Sequence, residues 1–181
     1  AMLSAIPRPL HIVVGLDWVR NQPGKAALTR LCRAAAWPVV LRRDGATPVD
    51  DLEAARLLRR ALRDSVGLLR AGRVLLVFPE GYPNIDPGYT PKADEAAFLP
   101  FQPGVVRIAT LAAARGLTVP IVPAGFAYGR DGGRWHIVLR FGEPLTVAGR
   151  AQEAAALAAL EARVRALSGL SDAQPPATPP G

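Results

Sequence analysis

A chain of 181 residues, half of them apolar, is long enough for one α/β domain with a real core and too apolar to stay disordered. A formal net charge of +7 points to anionic partners, yet only 6% of residues are aromatic and none interleave with the arginines, which argues against a nucleic-acid binder built on base stacking. One cysteine rules out an intrachain disulfide, one cysteine with two histidines makes no zinc set, and no apolar run reaches the ~18 residues that span a bilayer.

In chain order, Leu10-His11-Ile12-Val13-Val14-Gly15 reads as a short buried strand behind Pro7 and Pro9. Ala1 to Ile6 is too short and lacks the charged start of a signal peptide. Gly24 to Ala36 is predicted helical, with Leu28, Leu31, Cys32 and Ala35 on one face, which makes Cys32 a core residue rather than a reactive thiol. Pro38-Val39-Val40-Leu41 reads as a second strand, ending in Arg42-Arg43-Asp44-Gly45.

The next helix start carries a Thr-x-x-Asp box at Thr47 and Asp50, with Pro48 at the first helical position and Asp51 and Glu53 in the first turn. It is expected to run to about Ala71, with Ala55, Leu58, Leu62, Val66 and Leu69 inward. Arg56, Arg59, Arg60, Arg63 and Arg70 fill the rest, either as a solvated face or as one laid on anionic lipid. Gly72 stops the helix, and Val74-Leu75-Leu76-Val77-Phe78 reads as a strand buried on both faces, running into Pro79-Glu80-Gly81.

Tyr82 to Pro100 is a long irregular stretch rich in proline, the signature of a functional or mobile loop. Pro103 opens a helix that Gly116 closes. Val119-Pro120-Ile121-Val122-Pro123-Ala124 reads as a strand at an edge or bend, and Gly132-Gly133 as a turn. Trp135, Ile137, Leu139 and Phe141 alternate with His136, Val138 and Arg140 as in a half-buried strand. An alanine-rich helix covers about Arg150 to Leu167, and a Pro-rich, disordered tail follows over 168–181. Alternating helices and strands imply one domain over 1–167, a mostly parallel central sheet flanked by helices. Ligands of such sheets sit at the carboxyl ends of the strands, where Arg42-Arg43 and Pro79-Glu80-Gly81 both fall.

Phe78-Pro79-Glu80-Gly81 is the sharpest local signal. An apolar strand delivers a carboxylate to its end, proline stiffens the exit, and glycine lets backbone approach a ligand closely. The ordered series formed by the strand ending in Arg43 (or Arg42), Phe78-Pro79-Glu80-Gly81, Val119-Pro120-Ile121-Val122-Pro123 and Gly142-Glu143-Pro144-Leu145 resembles the phospholipid/glycerol acyltransferase family, which includes the acylglycerol-phosphate acyltransferases. The resemblance covers about Ala1 to Leu145 and implies the glycerol-phosphate acyltransferase-like α/β fold.

It also implies acyl transfer from a thioester, acyl-CoA or acyl carrier protein, to a hydroxyl of a lysophospholipid or glycerol-phosphate-type acceptor, with no metal or other cofactor. The family's general base is the histidine of a His-x4-Asp motif. That motif is absent here: His11 and Asp17 have five residues between them and flank a strand. The resemblance therefore assigns no catalytic residue to this chain and expects the motif upstream of Ala1, leaving these residues inactive alone. It assigns substrate binding to Arg43, Phe78, Pro79, Glu80 and Gly81. Arg43 would hold the acceptor's anionic group and Glu80 its hydroxyls or nearby backbone. Two departures are visible: Tyr82-Pro83-Asn84 follow the Phe-Pro-Glu-Gly motif where a cation is common, and Gln102 stands where lysine is common, with Lys92 a candidate substitute.

The implied partners are a lysophospholipid or related acceptor, an acyl thioester donor and the membrane surface, with no nucleic acid. The implied location is cytoplasmic, peripheral at the inner face of the membrane. Two other readings are a non-catalytic lipid-binding module on the same fold and a nucleotide-binding α/β domain. The latter needs a Gly-rich phosphate loop after the first strand, which Gly15-Leu16-Asp17-Trp18 does not provide.

Overall fold

The computed structural model describes residues 6, 8–16, 19, 21–41, 50–81 and 99–169, the side chains of 130, 131 and 135 excepted. In chain order the elements are β1 (Leu10–Ile12), β2 (Val14–Gly15), α1 (Gln22–Ala34), β3 (Val39–Val40), α2 (Asp51–Arg70), β4 (Val74–Leu76), α3 (Gly104–Ala113), β5 (Ala124–Asp131), β6 (Arg134–Phe141) and α4 (Glu153–Leu167), the last preceded by a 3-10 turn at Arg150–Gln152.

The first two strands form one extended run with a neighbour on either side. β1 pairs parallel with β4, Leu10 opposite Val74 through Ile12 opposite Leu76. β2 pairs parallel with β3, Val14 opposite Val39 and Gly15 opposite Val40. The handover falls at Val13 and Val14, whose N–H groups donate to Leu76 O at 3.0 Å and Pro38 O at 2.9 Å. The expected α/β fold with parallel strands is therefore present, and β3 and β4 end on the same rim with the β1–β2 run between them. The longest ladder, however, is antiparallel: β5 and β6 pair from Ala124 opposite Phe141 to Asp131 opposite Arg134. Gly132 and Gly133, with φ of 52° and 81°, make the tight turn that joins them.

Helix boundaries follow local chemistry. Asn21 caps α1, its Oδ1 accepting from Gly24 N at 2.7 Å. The end of α1 is a Schellman arrangement: Trp37 N donates to Cys32 O at 2.8 Å and Ala36 N to Arg33 O at 3.2 Å. Ala36 takes the left-handed position that glycine usually holds, at φ 53°. The predicted cap Thr47 and Pro48 lie outside the described residues. Asp50 caps α2 instead, accepting from Leu52 N at 2.9 Å. Its buried face is Ala54, Ala61, Ser65 and Val66, rotated from the expected one, and Leu58 is exposed. Small side chains lie against the sheet there, and leucines flank them: Leu57 on one core cluster, Leu62 and Leu69 on another.

Three further expectations change. Leu31 is exposed on α1, whereas Cys32 beside it is fully buried. The expected strand at Val119–Ala124 reduces to one bridge, Ile121 with Leu145, because Pro120 and Pro123 have no N–H to donate. Ile137, Val138 and Phe141 of β6 are each about half exposed rather than alternating, since α4 meets the hairpin at its base, around Gly125.

Leu16, Leu41 and Ala54 form the core at the carboxyl end of β2 and β3. Val66, Ile108 and Ala112 fill the space between α2 and α3. Val106, Ala109 and Val147 join α3 to the region of α4.

Candidate active site

Beyond β4 the chain closes a tight turn, with Gly81 N donating to Phe78 O at 3.0 Å. Proline at the second position presets the backbone angle, and Gly81 supplies φ 77°, a value that strains other residues. The turn is fixed from outside by the returning chain. Gln102 N donates to Pro79 O at 2.8 Å, and Leu99 N donates to the Glu80 carboxylate, Oε2, at 3.3 Å. The residues flanking 82–98, itself outside the described residues, thus meet at the Glu80 turn.

The returning segment is anchored in turn. Phe101 is buried against Leu160, and its N–H donates to Glu161 Oε2 at 2.9 Å. Glu161 Oε1 also pairs with Arg165 Nη2 at 2.9 Å, one helical turn on. A chain of contacts therefore runs from α4 through Phe101 to Pro79 and Glu80. Glu80 is half-buried, while Phe78 is 53% exposed at the rim. A half-buried carboxylate beside an exposed aromatic ring suits an acceptor with hydroxyls and an apolar body.

The other predicted residues fall as follows. Arg43, with Arg42, lies outside the described residues, as do Asp17 and Lys92. The strand that leads toward Arg43, β3, ends on the same rim as β4 but is not next to it: the β1–β2 run intervenes, so two strand spacings, ~10 Å, separate them. Gln102 is exposed and contributes its backbone N–H. His11 sits at the amino end of the sheet, its Nδ1 3.2 Å from Ala36 O, away from the Glu80 turn. Burial pushes the Cys32 thiol above its ordinary range. Among the described residues no His/Cys/Asp/Glu group could hold a metal ion, and no helix is long and apolar enough to cross a membrane.

Two links escaped the sequence reading. Glu161 ties α4 to the site, and the only trace of it is an i,i+4 acid–arginine pair within an alanine-rich helix. The Val119–Pro123 and Gly142–Leu145 segments also bind each other, with Ile121 N to Leu145 O at 2.8 Å, Leu145 N to Ile121 O at 2.9 Å and Gly142 N to Pro123 O at 2.9 Å.

A family model described as acyltransferase matches residues 3–127, more than half of the chain, and so takes in β1 to β4, the Glu80 turn and α3. The chain belongs to the acyltransferase family. Compared with curated proteins and with solved structures, it matches none. In this acyltransferase the matched range ends within β5, yet Leu145 and α4, both beyond it, hold the matched Ile121 and Phe101 through the bonds above.

Proposed function

We propose that this acyltransferase domain moves a fatty acyl group from a thioester, acyl-CoA or acyl carrier protein, to a hydroxyl of a lysophospholipid or glycerol-phosphate-type acceptor at the cytoplasmic face of the membrane. The observation that carries the reading is the clipped Phe78–Gly81 turn at the carboxyl rim of a parallel sheet, within the family match. Ligands of parallel α/β sheets sit at that rim. Glu80 orients acceptor hydroxyls, Phe78 lies along the acceptor's apolar part, and Arg43, which follows β3 in the sequence, pairs with its phosphate or other anion.

In the transfer, a histidine base takes the acceptor's hydroxyl proton as the oxygen attacks the thioester carbonyl. The tetrahedral intermediate collapses with loss of the thiolate, which accepts the proton. The 181 residues contain no His-x4-Asp pair, so they form the acceptor half and release no thiol unaided. A free-thiol assay tests this on the chain alone and on the chain joined to an amino-terminal segment carrying His-x4-Asp. The joined form should release thiol only when acceptor is added, and the chain alone should fall short by about two to four powers of ten. Equal rates would end the two-part reading. No release from the joined form on any lysolipid acceptor would favour the second reading, a lipid-binding module without chemistry, which the missing motif supports.

A further inference from the structure

The face of α2 turned away from the sheet carries Leu52, Arg56, Arg59, Arg63 and Arg70, all exposed and spaced to form one row along the helix. At 1.5 Å per residue the row is ~27 Å long. Beside it, between α2 and the carboxyl end of α3, lies a cleft of about 650 Å³ lined by Arg56, Arg59, Arg60, Arg63 and Arg115 over a floor that includes Leu62 and Leu111. Asp51 and Glu53 flank Leu52 at the start of the row, and further along Asp64 pairs with Arg60 at 3.4 Å. Among the described residues the guanidinium groups of Arg56, Arg59 and Arg63 have no hydrogen-bond or ion-pair partner. Leu52 is 66% exposed and Leu111 37% exposed.

Resting on the reading that the acceptor is a lipid, we propose that this arginine row is the surface on which the protein lies against an anionic bilayer. The arginines pair with headgroup phosphates, and Leu52 enters the interfacial layer. A row ~27 Å long outreaches any small phosphate. Leucines among cations gain from a bilayer interface and would gain nothing on a nucleic-acid backbone. The orientation also fits. Ala54 packs on Leu16 and Leu41 at the carboxyl end of the sheet, so Leu52 marks the end of the row nearest the Glu80 rim. Arg70, whose Nη2 reaches Arg115 O at 3.4 Å, marks the far end. A bilayer along this row therefore meets the site at its edge.

Vesicle flotation of the full chain tests the proposal without needing turnover. Phosphatidylcholine vesicles should retain little protein, and vesicles also containing phosphatidylglycerol should retain most of it, less as salt rises. The R56Q/R59Q/R63Q variant should lose about 100-fold in partitioning to the anionic vesicles. The charge-matched R30Q/R33Q/R150Q variant, altered at exposed sites elsewhere, should keep most of it. Circular dichroism checks that both variants are folded.

Equal losses in the two variants would overturn the proposal, because net charge alone would then drive binding. So would displacement by inorganic phosphate beyond that of chloride at matched ionic strength, which would mean a small-anion site. Tighter, Arg56-dependent binding of duplex DNA at the same salt would overturn it as well. Thiol release from detergent-dispersed acceptor by the His-x4-Asp-extended R56Q/R59Q/R63Q protein separates docking from chemistry, since docking can fail while acyl transfer stands, and the reverse.

Discussion

Ala36 holds the left-handed position at the end of α1, and its carbonyl is bonded by His11 Nδ1. A Cβ in that region costs on the order of 1 kcal/mol, so Ala36→Gly should raise stability by about that amount and the melting temperature by roughly 2–4 °C. Nothing in the sequence marked Ala36, because a left-handed alanine follows from the path of the chain into Trp37 and Pro38 and not from its own preference. Cys32 was legible, since its place in the apolar pattern of α1 already put it inside. Desolvation raises its pKa, so the folded thiol keeps its proton while the unfolded thiol ionises above about 8.5. That contribution is whole at lower pH and is lost as pH climbs past the unfolded value. Melting temperatures should fall above that pH, and Cys32→Ala should remove this part of the slope. Native protein should resist alkylation until denatured.

At the scale of elements, α4 rests on the hairpin through an absence of side chain. A Cβ on Gly125 would lie 2.6 Å from both Leu167 Cβ and Ser168 N. Backbone cannot give way as a flexible side chain does, so Gly125→Ala should cost about 1–3 kcal/mol in urea unfolding. The damage should pass along Glu161 and Phe101 to the Glu80 turn and lower acceptor affinity in proportion. The helices themselves were readable from spacing and stop glycines, whereas their caps, Asn21 and Asp50, were not. Their docked faces were less so: α2 presents Ala54, Ala61 and Ser65 where the leucine pattern suggested Leu58, because close approach to a sheet favours small residues over greasy ones. The Val119–Pro123 strand failed for a countable reason, since two of its donors are prolines.

Across the whole molecule, parallel pairing could be anticipated from alternating elements, but not which strand lies between which. The β1–β2 run separates the strand leading to Arg43 from the one leading to Glu80, so the carboxyl ends of those two strands are two strand spacings apart. On the proposed function, Arg43→Ala and Glu80→Gln should couple in acceptor binding measured on the His-x4-Asp-extended protein, the double variant losing less than the product of the single losses.

The bonds from Leu99 to Glu80 and from Gln102 to Pro79 have a consequence for how such an enzyme diversifies. They tie the two points where residues 82–98 join the fold to one another, so a change of length between those points leaves the bonds at Pro79 and Glu80 in place. A different segment could be spliced between Gly81 and Leu99 as a cassette while the scaffold keeps its stability.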